Sequence, residues 1–365
     1  EVFPPGDSTD DGSRPLRPGP LHFLRRMKED LVDYDGVTPL FKGRRAQNVP
    51  VALNTIEAAF YQEALDLAER YFPPAAVPLA KMVYGKRAAS SLYALAETLR
   101  RRRDQMGSAT PVASAMEVDP DSEDPPSQDE AKVVVEQSRS AKAERHDLDG
   151  LLARLRAQLA EQAMPVSKWP RLIAECLAPQ GVVPGGAEQA VLFTEFADTA
   201  DWLVRRFRAG GYRAERYSGR DSQTAREAVR DHFARRQFEI LVSTDAGNEG
   251  IDLQTAHVLV NWDIPWSLVR LEQRMGRIHR IGQTRDVELF NLVATETREG
   301  EVLHVLLDNF VKAANHLDGK MFDSLSLVAE MVNLDLAELL ARTFHDPGRA
   351  AEAKEAARAF TAARL

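Results

Sequence analysis

AVLFTEFADTADWLVRRFRAGGYRAERYSG, residues 190–219, decides the fold class. Val191, Leu192 and Phe193 form the short continuous apolar run that a strand buried on both faces requires. The period then changes. Ala200, Leu203, Val204 and Phe207 recur at helical spacing, and Gly210 with Gly211 ends the pattern. The same rhythm continues through DSQTAREAVRDHFARR (221–236), FEILVSTD (238–245), HVLVNWDI (257–264) and VELFNLVA (287–294). Apolar strands alternating with helical segments imply right-handed crossovers and a mostly parallel sheet covered on both faces, an α/β lobe.

Ligands of open α/β sheets bind at the carboxyl ends of the strands, and two chemically loaded stretches fall there. In STDAGNEGIDLQ (243–254), Ser243 and Thr244 offer hydroxyls, Gly247 and Gly250 permit close backbone approach, and Asp252 can accept from a ribose hydroxyl. EQRMGRIHRIGQ (272–283) sets Arg277 and Arg280 three residues apart behind Gln273. If its first half is helical, both guanidiniums share a face, and their donor forks match phosphate oxygens. On the residues alone, an ordinary glycine-containing turn and a solvated basic face stay open as readings.

EQRMGRIHRIGQ resembles the last signature motif of superfamily two helicases, and its RIHRIGQ ending is similar to that of the Swi/Snf-type DNA translocases. VLFTEF (191–196) and STDAGNEGIDLQ fit the same family in the right order. The resemblance implies a RecA-like parallel-sheet lobe of the P-loop NTPase type, the second lobe of a helicase motor, with helical segments before it and a helical tail after it. It implies arginine fingers at Arg277 and Arg280, with Gln273 beside them. Gly247, Glu249, Gly250 and Asp252 face the nucleotide in this reading. Thr194, Ser243, Thr244 and the turn Ser218, Gly219, Arg220 touch a nucleic-acid backbone, and double-stranded DNA is the implied partner. GNEGIDL, where Swi/Snf-type proteins commonly have GGLGLNL, brings the chain closer to the bacterial RapA-like and phage-defence branch. That branch implies RNA polymerase or phage-defence proteins as further partners.

The phosphate-cradling GxxxxGK[ST] loop occurs nowhere in the sequence. A DEAK tetrad stands at Asp129–Lys132 but in an acidic segment, not at the end of an apolar strand. ATP with Mg2+ is therefore expected to be held mainly by a missing N-terminal motor lobe encoded upstream of Glu1, and the chain alone is expected to be inactive. Two alternatives stand beside the translocase: a catalytically inactive binding module that keeps the lobe as a scaffold, and a strand-separating helicase.

The remaining organisation follows from composition. Residues 1–20 read as a flexible lead-in, and 21–106 as the exit of the first lobe, around Leu24, Arg25, Arg26 and Lys28, plus a helical segment. Asn54 is placed to cap a helix over 55–71, and a second helix is expected from Ala80 to Arg103, with Arg100–Arg103 read as a solvated terminus in preference to a phosphate-backbone contact. Pro, Ser, Asp and Glu over 107–145 suggest a disordered acidic insertion. Residues 146–180 lead helically into the lobe at 181–316, and 317–365 form the tail. A net charge of −8 excludes a protein coated in basic surface, so nucleic-acid contacts must be local. The single Cys176 rules out an internal disulfide. No apolar run approaches the roughly 20 residues of a membrane span, so no membrane partner is expected and the cytoplasm is the default compartment.

Overall fold

The structure is a computed structural model, and it describes residues 31–35, 37–106, 125–160, 166–245, 253–316 and 335–345, with residues 28, 352 and 355 besides. Six strands form one sheet: β1 (Arg44–Val51), β2 (Ala190–Thr194), β3 (Ala214–Tyr217), β4 (Ile240–Thr244), β5 (Val258–Asn261) and β6 (Val287–Ala294). Every pairing is parallel, and the order is β1-β6-β5-β2-β4-β3. The chain runs from β2 out to the β3 edge, returns to β4, then crosses past β2 to β5. The segment leaving β4 thus emerges where the strand order reverses, the place at which such sheets bind ligands.

Alternation along the strands fills two cores. Val191, Phe193, Leu241, Leu259, Leu289 and Val293 point to one face, where α8 (Gln223–Ala234), α9 (Leu268–Met275), α10 (Arg298–His316) and α11 (Leu336–His345) lie. Leu192, Val242, Val258, Val260, Phe290 and Leu292 point to the other, against α7 (Ala197–Ala209) and the helical run that starts with α6 (Lys168–Arg171) and continues as a π-type turn over Leu172–Leu177. Cys176 is buried there, and Trp262 is fully buried in the same core.

A third core joins α1 (Thr55–Tyr71), α2 (Val77–Ser90), α3 (Leu92–Gln105), α4 (Pro125–Val135) and α5 (Ala141–Ala160). Asn54 caps α1 through a capping box with Glu57. The helix expected over 80–103 is two helices, because Ser91 takes an extended conformation at φ −162° and its hydroxyl accepts from Ala94 N to start α3. Arg101 and Arg102 also depart from the expected solvated terminus. Arg102 is 1% exposed, and its Nε donates to Glu144 at 2.9 Å.

Residues 125–145 correct the disordered span inferred from composition, the rest of which lies outside the described residues. Val133 and Val134 are buried and supply apolar anchors. Glu130 of the DEAK tetrad is 1% exposed, accepting from Arg87, Arg101 and Thr98. Composition missed this because a charge run counts as solvated until its counter-charges are known. Among the described residues no helix is long and apolar enough to cross a membrane.

Candidate functional site

The carboxyl edge of the sheet is held by buried charge. Arg274 on α9 is 1% exposed. Its Nε and Nη2 meet the Asp245 carboxylate at 2.6 Å each, and its Nη1 donates to Asn261 Oδ1 at 3.0 Å and to the Asp263 carbonyl at 2.7 Å. Asp245 follows β4, while Asn261 ends β5, so one guanidinium ties two strand ends to α9. A bidentate fork of this kind fixes direction as well as distance. Burial opposes its charge, but the Asp245 carboxylate outweighs that and holds the Arg274 pKa above its ordinary value. Asn261 passes the bonding on: its Nδ2 donates to Asn291, Asn291 to Asn48, and Asn48 to Asp308 on α10, each at 2.9 Å. The register makes this ladder, since Asn261 and Asn48 both face Asn291.

α9 stops at Met275, with Gly276 as its cap. Gln273 lies on the helix and is exposed, whereas Arg277 and Arg280 are half-buried in the turns beyond it. The expected shared helical face is thus replaced by a turn, in which Arg277 N bonds to Arg274 O at 3.1 Å and Arg280 Nε to the Gly276 carbonyl at 3.1 Å. The segment after β4 is laced to this turn. Leu253 N bonds to Arg277 O at 3.2 Å, and Gln283 Nε2 donates to the carbonyls of Gln254, Ala256 and Ile278. Gly282 has φ +96°, where a side chain is strained, and an added Cβ would meet Gln254 Oε1 at 3.1 Å. Gly247, Glu249, Gly250 and Asp252 lie outside the described residues.

The nucleic-acid candidates divide. Thr194 is fully buried at the end of β2 and donates to Asp263, which also accepts from Ser90 Oγ at 2.9 Å and from Lys168 Nζ at 3.4 Å. Its hydroxyl is spent inside the fold, which corrects the expectation that it meets a phosphate. Ser243 is likewise fully buried, with its hydroxyl on the Thr244 carbonyl at 3.2 Å, and Thr244 is buried beside it. Ser218 is buried, and its hydroxyl accepts from Arg220 N at 3.3 Å while Asp221 accepts from Ser218 N, so it shapes the turn. Gly219 is half-buried and Arg220 exposed, so of these candidates these two present surface.

The helical segment closes over this edge. Arg87 and Arg101 both reach Asp198 in the first turn of α7, at 3.0 Å and at 2.9 and 2.8 Å. Burial opposes ionisation of Asp198, yet Arg101, Arg87 and Arg220 outweigh it and hold the carboxyl well below the ordinary range. Lys86 meets Glu195 at 3.1 Å. Burial pushes the Glu195 pKa up, partly offset by Lys86 and Arg274.

The family described as the helicase conserved C-terminal domain matches residues 176–282, which include Thr194, the Asp245–Arg274 clasp, Arg277 and Arg280. An uncharacterized ATP-dependent helicase of Bacillus subtilis, YqhH, is 35% identical over 134 residues, 36% of this chain and 24% of the relative. Helicase SWR1 of Mycosarcoma maydis is 34% identical over 133 residues, 34% of this chain and 7% of that protein. These matches decide the family. The chain carries the C-terminal lobe of a Swi/Snf-like superfamily two helicase. The crystal structure of the C-terminal part of the Fun30 ATPase domain superposes at a TM-score of 0.44 with 15% identity, covering 80% of this chain and 99% of that one. The chain spans about a quarter or less of the length of the curated helicases it matches.

Among the described residues no group of three or more His, Cys, Asp or Glu side chains could hold a metal ion. Glu195, Asp245 and Asp263, which follow the ends of β2, β4 and β5, are already bonded to Lys86, to Arg274, and to Thr194, Ser90 and Lys168 respectively. The residues present fit an anion: two guanidiniums in one turn, which Leu253 and Gln254 bond to through Arg277 and Gln283. Arg274 itself escaped sequence reading, although it sits among Leu271, Met275 and Ile278 on the buried stripe. An arginine at a core position demands a buried acid, and that was the available signal.

Proposed function

We propose that this helicase lobe is the second half of an ATP-driven motor that moves along double-stranded DNA, with Arg277 and Arg280 as arginine fingers and Gln273 beside them. The observation that carries this reading is the lacing of the arginine turn to the segment after β4, through Arg274 with Asp245 and through Leu253 with Arg277. It ties Asp245 and Leu253 to α9 and the arginine turn, so the turn is held against both of these residues. Gly247, Glu249, Gly250 and Asp252 face the nucleotide in this proposal, while Gly219, Arg220 and the backbone around Thr244 face the DNA.

ATP with Mg2+ supplies the phosphoryl chemistry when bound, and a first lobe carrying a phosphate loop and the magnesium carboxylate holds most of it. This chain contributes fixed positive charge, aimed by a clasp that needs no rearrangement when charge develops. The 365-residue chain alone accordingly releases no phosphate above background.

The test is made in a protein that carries both lobes. Arg280→Lys keeps the charge but loses the planar fork, and a finger is worth about 10³ to 10⁵ in phosphoryl-transfer rate. ATP turnover should collapse toward that range while duplex affinity, measured at the same salt, stays put. Full turnover in Arg280→Lys would refute the assignment, as would DNA-stimulated hydrolysis by the 365-residue chain on its own.

A further inference from the structure

Away from the strand ends, α3, α5 and α7 enclose a cleft of about 480 Å³ whose wall combines arginines with aromatic rings. Tyr93 and Arg100 come from α3, Arg156 from α5, and Trp202 and Arg205 from α7. Glu97 is the one carboxylate in the lining, and it is already bonded to Arg100 Nη2 at 2.9 Å. Arg156 and Arg205 are exposed and, among the described residues, have no carboxylate partner. The Arg205 guanidinium instead lies over the Tyr93 ring, 4.7 Å from its centroid. Two unneutralised guanidiniums in a cleft with Tyr93 and Trp202 favour an anion whose groups can also lie against a ring, the combination that nucleic-acid channels use.

Arg220 stands at the first turn of α7, the helix that supplies Trp202 and Arg205 to the cleft. Arg220 pairs with Asp198 at 3.5 Å. Asp198, Trp202 and Arg205 follow one another at i, i+4 and i+7 on the same face of α7. At 1.5 Å per residue, Asp198 to Arg205 spans about 10 Å, the axial rise of about three nucleotides of one duplex strand.

We propose that this cleft extends the nucleic-acid track, with Arg156 and Arg205 each taking a backbone phosphate of the duplex that meets Gly219 and Arg220. The proposal rests on the duplex-DNA reading above. It makes the helical segment, through α3 and α5, part of the DNA-gripping surface and not only a cover for the sheet edge.

Anisotropy of a labelled duplex with the 365-residue chain, titrated across a salt series, tests it. Each phosphate contact removed lowers the slope of log affinity against log salt by about 0.9, so Arg156→Ala with Arg205→Ala should lower it by about 1.8. Arg205→Lys should retain the slope. Arg154→Ala, which removes an exposed arginine of α5 outside the cleft, should leave it unchanged. Far-ultraviolet circular dichroism confirms folding, and Arg156→Glu gives a second reading at the same site.

A wild-type slope in the double variant, with a lowered slope in Arg220→Ala, overturns the cleft and leaves the proposed motor function standing. No duplex binding by the wild-type chain overturns both. Loss confined to a single-stranded oligonucleotide overturns the duplex as occupant. A polyglutamate peptide whose binding depends on Arg156 and Arg205, when duplex binding does not, shows a site for acidic protein and also overturns the proposal.

Discussion

Arg274 gives the sharpest perturbation, because its whole bonding set is internal. Arg274→Met keeps comparable bulk in the core but deletes the fork to Asp245 and the bonds to Asn261 and the Asp263 carbonyl. Asp245, with a side chain only 15% exposed, is then left without its counter-charge. Removing one partner of a buried pair costs about 3–5 kcal/mol, chiefly the penalty of stranding the other. For a unit of this size that is a fall in Tm of roughly 6–20 °C, at 2–4 °C per kcal/mol. Urea unfolding followed by tryptophan fluorescence reads it, since Trp169, Trp202 and Trp262 sit in or against the core on one sheet face. Arg274→Lys keeps the charge without the fork and falls between. Arg274→Met combined with Asp245→Leu removes both charges, and should recover much of the loss, because an apolar pair can replace a buried ion pair at little cost. A cost below about 1 kcal/mol for Arg274→Met, or a double variant as unstable as the sum of the singles, would refute the clasp.

Two further outcomes follow from other buried carboxylates. Glu299 is fully enclosed and accepts from Tyr61 Oη at 3.2 Å; burial raises its pKa, partly offset by its hydrogen bonds. Its folded value thus lies above the unfolded glutamate value of about 4.3, so its contribution is fully present below that pH and is lost as pH rises through the folded pKa. Glu299→Gln, which keeps the shape of the protonated acid, should match wild type near pH 4 and gain relative to it at higher pH, and a difference independent of pH between 4 and 8 would contradict this. Glu130→Ala strands Arg87 and Arg101 on Asp198 alone and costs about 3 kcal/mol. Limited proteolysis should then cut within Pro125–Val135 first, and a digestion pattern identical to wild type would show that α4 is held by something else.

What the sequence displayed and what it hid divide along the range of the interactions. Strands β2, β4, β5 and β6 and helix α7 were legible because their cause is local: a short apolar run, a change of period, a glycine stop. The cap at Asn54 was legible for the same reason, since its partner Glu57 stands three residues away. The place of β1 at the sheet edge beside β6 was not, because Arg44 and its partner Val287 are far apart in the chain and neither residue type specifies the other. The break at Ser91 was hidden by good helix formers on both sides. It exists because Ser90 and Ser91 reach Thr199 at 2.7 and 2.9 Å, and Ser90 reaches Asp263, contacts no window of sequence contains.

The candidate site follows the same division, with an added bias. Arg277 and Arg280 stood out because family resemblance marks residues by pattern, and Thr194 and Ser243 were assigned outward roles on that pattern. The fold turns both hydroxyls inward, since Thr194 closes and Ser243 stands one residue before the close of a strand whose every residue is buried. Arg274, Glu130 and Asp198 carried no such mark, yet each is nearly inaccessible and each has two or more charged or carbonyl partners. Charge in a sequence is read as surface because isolated charge cannot be buried. The inference fails wherever charges arrive in sets, and here the sets lie where helices α2, α3, α4, α7 and α9 converge on the carboxyl edge of the sheet. Sheets of this kind bind ligands at that edge, and there the residues least visible in the sequence are the ones that fix the geometry of those most visible in it.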